Sequence, residues 1–212
     1  MKYKNLIDKF SKINEKLYAQ AANPMRCHGP DHHFRVYENA MLLAEKLEKR
    51  GLVIDYEVLI PACFLHDMAA YDPDKTQDKH HELDPQIAER ILKEEKYPSD
   101  KAAKIVLAIA SHGSHADYRQ NEENIETTVL RDADKMDVFG PLGTARIIMA
   151  RTRRGENIHQ IVDRFYTKGA LKEKWEAVTL PETKKVCKKD FEYTLDFFTR
   201  LDNFLKNRTN RH

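Results

Sequence analysis

An apolar run, Val58-Leu59-Ile60-Pro61-Ala62-Cys63-Phe64-Leu65, ends abruptly in His66-Asp67. Such a run is buried, and a polar pair buried at its end costs several kcal/mol unless something satisfies it. A divalent metal ion would satisfy both side chains at once. The plain alternative is a helix-terminal pair that only makes structural hydrogen bonds. The rest of the chain bears on the choice, because it supplies the further ligands such an ion would need.

Periodicity elsewhere is helical throughout. Leu6, Ile7, Phe10, Ile13 and Leu17 predict a first helix on the outside of the domain. Asp31 is the expected N-cap of a helix through Val36, Ala40, Ala44 and Leu47 that stops at Gly51. Asp55 caps the helix that runs to His66-Asp67. The segment from Met68 to Lys79 is polar and reads as a loop. Asp84-Pro85 then reads as an N-cap with proline at the first helical position, and Ser99 as the cap of a helix ending near His112. Gly113 to Asn124 is a second polar loop. Ile125, Val129, Ala133 and Met136 start a helix carrying Asp132, Asp134 and Asp137, which Gly140-Pro141 breaks. Leu142, Ala145, Ile148 and Met149 continue helically into Arg151-Thr152-Arg153-Arg154-Gly155. The last helix holds Phe191, Leu195, Phe198, Leu201 and Leu205. With no alternating strand and no hairpin turn pair, the expectation is an all-α domain of roughly eight to ten helices.

At 212 residues the chain fits one domain spanning 1–212, with its core at about 28–150 and a helical annex at about 156–207. A net charge of +2 gives no reason to expect nucleic acid or a membrane surface as partner. No apolar run approaches the ~20 residues of a membrane helix. Met1-Lys2-Tyr3-Lys4 leads into an amphipathic segment, not a signal. Cys27, Cys63 and Cys187 are odd in number and widely spaced, which points to a reducing, cytoplasmic setting.

The chemistry has to come from separate helices converging. His32 at one helix start, His66-Asp67 at a helix end and Asp134 on a later helix make a mixed nitrogen-oxygen set. It lacks the thiolates of a structural zinc site and is too nitrogen-rich for calcium. One divalent ion (Mn, Mg, Co, Ni, Fe or Zn) fits, and ligand type alone does not choose among them. Four protein ligands on an octahedral ion leave positions for water and a phosphate oxygen, which suits a hydrolase.

These residues also carry a family resemblance. His32-His33-Phe34-Arg35-Val36-Tyr37-Glu38-Asn39-Ala40 resembles the HxxRVxxxA opening of the HD-domain metal-dependent phosphohydrolases, and Phe64-Leu65-His66-Asp67 is similar to the doublet that names them. Arg131-Asp132-Ala133-Asp134-Lys135-Met136-Asp137 resembles their distal DADxxD motif. Gly140-Pro141-Leu142-Gly143-Thr144-Ala145-Arg146 resembles the GxxGxAR stretch of the small bacterial HD hydrolases of the YedJ and YpgQ type. The resemblance implies an HD-domain helical bundle whose metal ligands are His32, His66, Asp67 and Asp134. It implies hydrolysis of a phosphoester or phosphoanhydride bond in a nucleotide-like small molecule by metal-activated water.

Further roles follow on that resemblance. Asp67, His28, His80, His112 and Asp137 are the candidates for catalysis and proton transfer, and Arg35, Lys135 and Arg146 for substrate phosphate. His28 could equally cap its loop, and at most one of His80 and His81 faces the site, His80 being preferred. Arg35 could pair with a structural carboxylate instead, and the arginine run from Arg146 to Arg154 could be a solvated helix face. Two other readings stand beside hydrolysis: a metal- and nucleotide-binding sensor without turnover, and a di-iron oxygenase of HD type. Oligomeric state is open, a homodimer through the last helix included.

Overall fold

The computed structural model describes residues 2–71, 80–113 and 124–209. Among these every regular element is helical. The α-helices are α1 (Lys4–Gln20), α2 (Pro30–Glu48), α3 (Tyr56–Leu65), α4 (His80–Glu94), α5 (Ser99–Ser111), α6 (Ile125–Met136), α7 (Gly140–Arg153), α8 (Ile158–Val162), α9 (Ala170–Glu176) and α10 (Pro181–Thr209). Short 3₁₀ turns cover Arg26–His28 and Met68–Tyr71, and a π turn covers Asp163–Thr167. The all-α expectation therefore holds, and no helix among the described residues is long and apolar enough to cross a membrane. The chain divides into two compact units, Met1–Asp134 and Lys135–His212.

The first unit is built around α3. Every residue from Val58 to Leu65 is buried, with α1, α2 and α5 packed around the helix. Asp55 caps it as expected, accepting from the Glu57 N–H at 3.1 Å. Pro61 lies inside the helix and has no N–H for the Glu57 carbonyl. That carbonyl accepts instead from the Tyr97 hydroxyl at 2.7 Å. At the other end the last carbonyls of α3 also lack intrahelical partners. The Asn14 amide on α1 donates to the Phe64 carbonyl at 2.7 Å, and its own oxygen accepts from the Tyr71 hydroxyl at 2.8 Å. Thus α1, expected on the outside, sends Phe10, Ser11 and Asn14 inward.

Several local expectations are corrected. Gly29, not Asp31, is the N-cap of α2. Pro30 occupies the first turn, where its missing N–H costs nothing, and Asp31 follows it to pair with Arg35. Asp84 caps no helix: α4 begins earlier, at His80, and the Asp84 carboxylate turns inward to accept from the Ala69 N–H at 2.6 Å. Pro98, not Ser99, precedes α5. Met68–Tyr71 is buried and helical because its side chains are apolar; residues 72–79 of the expected loop, and 114–123 of the second one, lie outside the described residues. All three cysteines are buried.

In the second unit α7 packs on α10. Phe139, Trp175 and Phe191 form an aromatic cluster, the last two stacked at 4.4 Å. The buried stripe of α7 differs from the expected one: Leu142 and Met149 are half exposed, while Gly140, Gly143, Thr144 and Ile147 face inward. Gly140 has φ +80° and donates its N–H to Thr194 Oγ1 at 2.8 Å; a Cβ on it would stand 3.0 Å from Asp190 Oδ1. Arg151 and Arg164 both grip Glu156, whose carboxyl is held down to about 2, mainly by Arg151.

Replacing Asn14 by leucine keeps the volume but strands both the Phe64 carbonyl and the Tyr71 hydroxyl. At roughly 1–3 kcal/mol for each buried group left unsatisfied, urea unfolding should show a loss of about 2–4 kcal/mol. A loss under half a kcal/mol would mean that α1 does not hold the end of α3.

Candidate metal centre

Four side chains from three helix ends converge in the first unit. His32 lies in the first turn of α2, His66 and Asp67 follow the last residue of α3, and Asp134 lies in the last turn of α6. One ligand atom from each lies within 4.8 Å of all the others. His32 Nε2 is 3.3 Å from His66 Nε2, 3.5 Å from Asp67 Oδ2 and 3.4 Å from Asp134 Oδ1. His66 Nε2 is 3.6 Å from Asp67 Oδ2 and 3.9 Å from Asp134 Oδ1. Both imidazoles are fully buried.

The backbone fixes how these groups face one another. His66 Nδ1 lies 2.9 Å from the Cys63 carbonyl, and His33 Nδ1 lies 3.1 Å from the same oxygen. A carbonyl only accepts, so both Nδ1 atoms carry hydrogen. When neutral, His66 therefore presents a bare lone pair on Nε2 toward two carboxylate oxygens. Lone pair and carboxylates repel, and a cation among them reverses the sign. The donor set and this tautomer fit a divalent ion, with the Cys63 carbonyl fixing the ligand from behind. The α2–α6 register is tied at the same place: Asn39, two turns beyond His32, donates to the Ala133 carbonyl at 3.2 Å.

Charge follows burial and neighbours. Burial would raise the carboxyls of Asp67 and Asp134. For Asp67, His66 and bonds from His112 and His32 outweigh it; for Asp134, His66 and His32 do, and both stay well below the usual carboxylate range. Burial would lower His112, but its bond to Asp67 turns the net shift upward. His33 is driven well down, first by burial and then by the neighbouring His66 and His32, and stays neutral. Asp84 is pushed up to about 8, first by burial and then by Asp67.

His112 Nε2 lies 3.5 Å from Asp67 Oδ1, while its Nδ1 donates to the Ile109 carbonyl. His28 Nε2 lies 3.7 Å from the other oxygen, Asp67 Oδ2. Asp67 is thus flanked by imidazoles on both oxygens. Arg35 pairs with Asp31 at 2.8 Å, one turn back on α2. Asp137 lies just past the end of α6, not on it as expected. It is buried in the second unit and bonded through its carboxylate and its carbonyl by Arg146, with Nη1 2.9 Å from the carbonyl. Lys135 is also buried. The side chains of His80 and His81 lie outside the described residues.

Sequence reasoning missed His33, Asp84, Asn14 and Cys27. His33 stands beside a ligand of the same type, and spacing alone assigned it no task. Asp84 was masked by the proline after it, which favoured a cap. Only the three-dimensional placement reveals the other two.

A model of the HD domain matches residues 31–138, half of the chain. This chain belongs to the HD-domain family. Among solved structures it is similar to a Lactobacillus plantarum protein at 18% identity and a TM-score of 0.72, covering 95% of this chain and 97% of that one. Bacillus subtilis YpgQ, solved in complex with ADP, is similar at 18% identity and a TM-score of 0.68, covering 93% and 96%. A protein from an uncultured Thermotogales bacterium, described as a predicted HD superfamily hydrolase, is similar at 19% identity and a TM-score of 0.59, covering 93% and 92%. At such identities the likeness shows the fold. No curated protein matches the chain.

In metal-free protein the folded chain keeps a proton on Asp84 between about pH 4 and 8 that the unfolded chain releases. That contribution to stability is full at low pH and is lost as pH rises through about 8. Asp84→Asn keeps an acceptor for Ala69 and removes the titration. After chelation, its melting temperature relative to wild type should rise between pH 5 and 9. A constant difference would show that Asp84 does not titrate in this range.

Proposed function

We propose that the protein is a metal-dependent phosphohydrolase acting on a phosphoester or phosphoanhydride bond of a nucleotide-like substrate. The observation that carries this is the buried convergence of His32, His66, Asp67 and Asp134 on one point. A divalent ion held there would lower the pKa of a bound water and polarise a phosphoryl group. Membership of the HD family and structural likeness to hydrolases support the reaction class. The ADP found in a relative of the same fold supports a nucleotide-like substrate.

In this reading the chain's own residues have separable tasks. His32 and His66 offer nitrogen ligands, the second oriented by the Cys63 carbonyl, and Asp67 and Asp134 supply the negative charge that selects a cation. His112 and His28, which flank Asp67, are the groups we assign to take or return a proton. His80 shares that role on sequence grounds, and Asp137 is assigned to bond a water or the substrate. Arg35, Lys135 and Arg146 are the cations assigned to substrate phosphate. In the structure Arg35 pairs with Asp31 and Arg146 with Asp137. We place the protein in the cytoplasm, acting on small molecules, with no nucleic acid or membrane partner.

Elemental analysis of protein purified without chelator tests this first. About one transition-metal ion per chain is expected in wild type, absent in Asp67→Ala, with hydrolysis in a nucleotide panel lost by a factor of at least ~10² in the variant. Two irons per chain would favour the di-iron oxygenase. Metal bound at full occupancy without turnover of any phosphate substrate would favour the sensor.

A further inference from the structure

We propose that Cys27 is a positioning residue for His28. This rests on the preceding reading, in which His28 serves the metal centre, and names a residue that neither the motifs nor the family match includes, since the match begins at residue 31.

The turn that carries both residues is tied to the site by its backbone. The Met25 N–H donates to the Ala70 carbonyl at 2.9 Å, three residues beyond Asp67, and the His28 N–H donates to the Met25 carbonyl at 2.8 Å. The backbone of residue 28 is therefore fixed, but its ring still has two torsions to settle. One edge packs against the His32 ring, with centroids 5.3 Å apart at 76°. A second contact is with Cys27 Sγ, which lies 3.2 Å from His28 Nδ1. Consecutive side chains on a helical turn do not ordinarily face each other, so this contact is a specific arrangement.

With Nδ1 engaged by the thiol, Nε2 points at Asp67 Oδ2 across 3.7 Å. That gap exceeds a direct hydrogen bond, so the ring stands beside the carboxylate with its Nε2 aimed at it but not locked to it. Rotating the ring by half a turn would remove Nε2 from that position. His28 is about a quarter exposed, so substrate and water can reach it. Cys27 is only 6% exposed, which places its thiol against the ring and away from solvent. A thiol is well suited to the place: it is a weak donor and acceptor that is buried at little cost.

The direct test is long-range ¹H–¹⁵N NMR of the His28 ring in the whole chain, at a pH well above the ordinary imidazole value so that the ring is neutral. Wild type should show one tautomer, Cys27→Ala a mixture, and Cys27→Ser one tautomer again. This readout does not depend on turnover, so it separates failure of the positioning role from failure of the hydrolase reading. In the nucleotide assay Cys27→Ala should lower kcat roughly tenfold, about 1.4 kcal/mol, with KM and metal content unchanged. Cys27→Ser should recover most of the loss. In a His28→Ala background Cys27→Ala should cost nothing more, because the interaction it removes is already gone. Identical ring spectra in wild type and Cys27→Ala, or a full further loss in the His28→Ala background, would overturn the proposal.

Discussion

The structure depends on how the end of one buried helix is satisfied. An α-helix leaves its last carbonyls without partners, and α3 ends in the interior, where water does not supply them. Here side chains do it: His33 and His66 take the Cys63 carbonyl and Asn14 takes that of Phe64. One of these bonds, from His66 to the Cys63 carbonyl, also sets the tautomer of a candidate metal ligand. Fold and site are therefore one set of hydrogen bonds, and the apolar run exists to carry that set inside.

Electrostatics then follows from position. His66-Asp67 and Asp134 stand at helix C-terminal ends, where the aligned peptide dipoles favour positive charge. Two carboxylates held ionised in a buried place strengthen that preference. His33, touching His66 at a ring separation of 4.7 Å, is kept neutral, so it adds a hydrogen bond to the cage without adding a competing charge. Asp84 does the complementary thing: pushed toward protonation, it braces the turn after Asp67 without adding much to the negative charge.

Much of this was legible in the sequence, for a physical reason. The helical period reports burial, and burial is what fixed α3, α5 and α6. His66-Asp67 stands out as a polar pair at the end of an apolar run, and the resemblance to the HD motifs adds His32 and Asp134. What stayed illegible was the identity of each hydrogen-bond partner. Asp84-Pro85 carries the local chemistry of a cap, yet a tertiary bond to Ala69 outweighs it. Leu142 and Met149 matched a helical stripe, but inward-facing glycine and threonine set which side of α7 is covered. The Asn14 contact joins residues 50 positions apart, and no local pattern announces it.

Gly143 shows another kind of constraint. A Cβ there would lie 2.2 Å from the carbonyl of Val138, so α7 meets the preceding turn backbone against backbone. Side chains that pack can change rotamer and absorb a displacement; two main chains in contact have no such soft coordinate. The joint between the turn at 137–139 and the first turn of α7 therefore behaves as a hard stop, resisting compression and passing any movement of one segment to the other undamped. That stiffness is set by the atoms this position lacks.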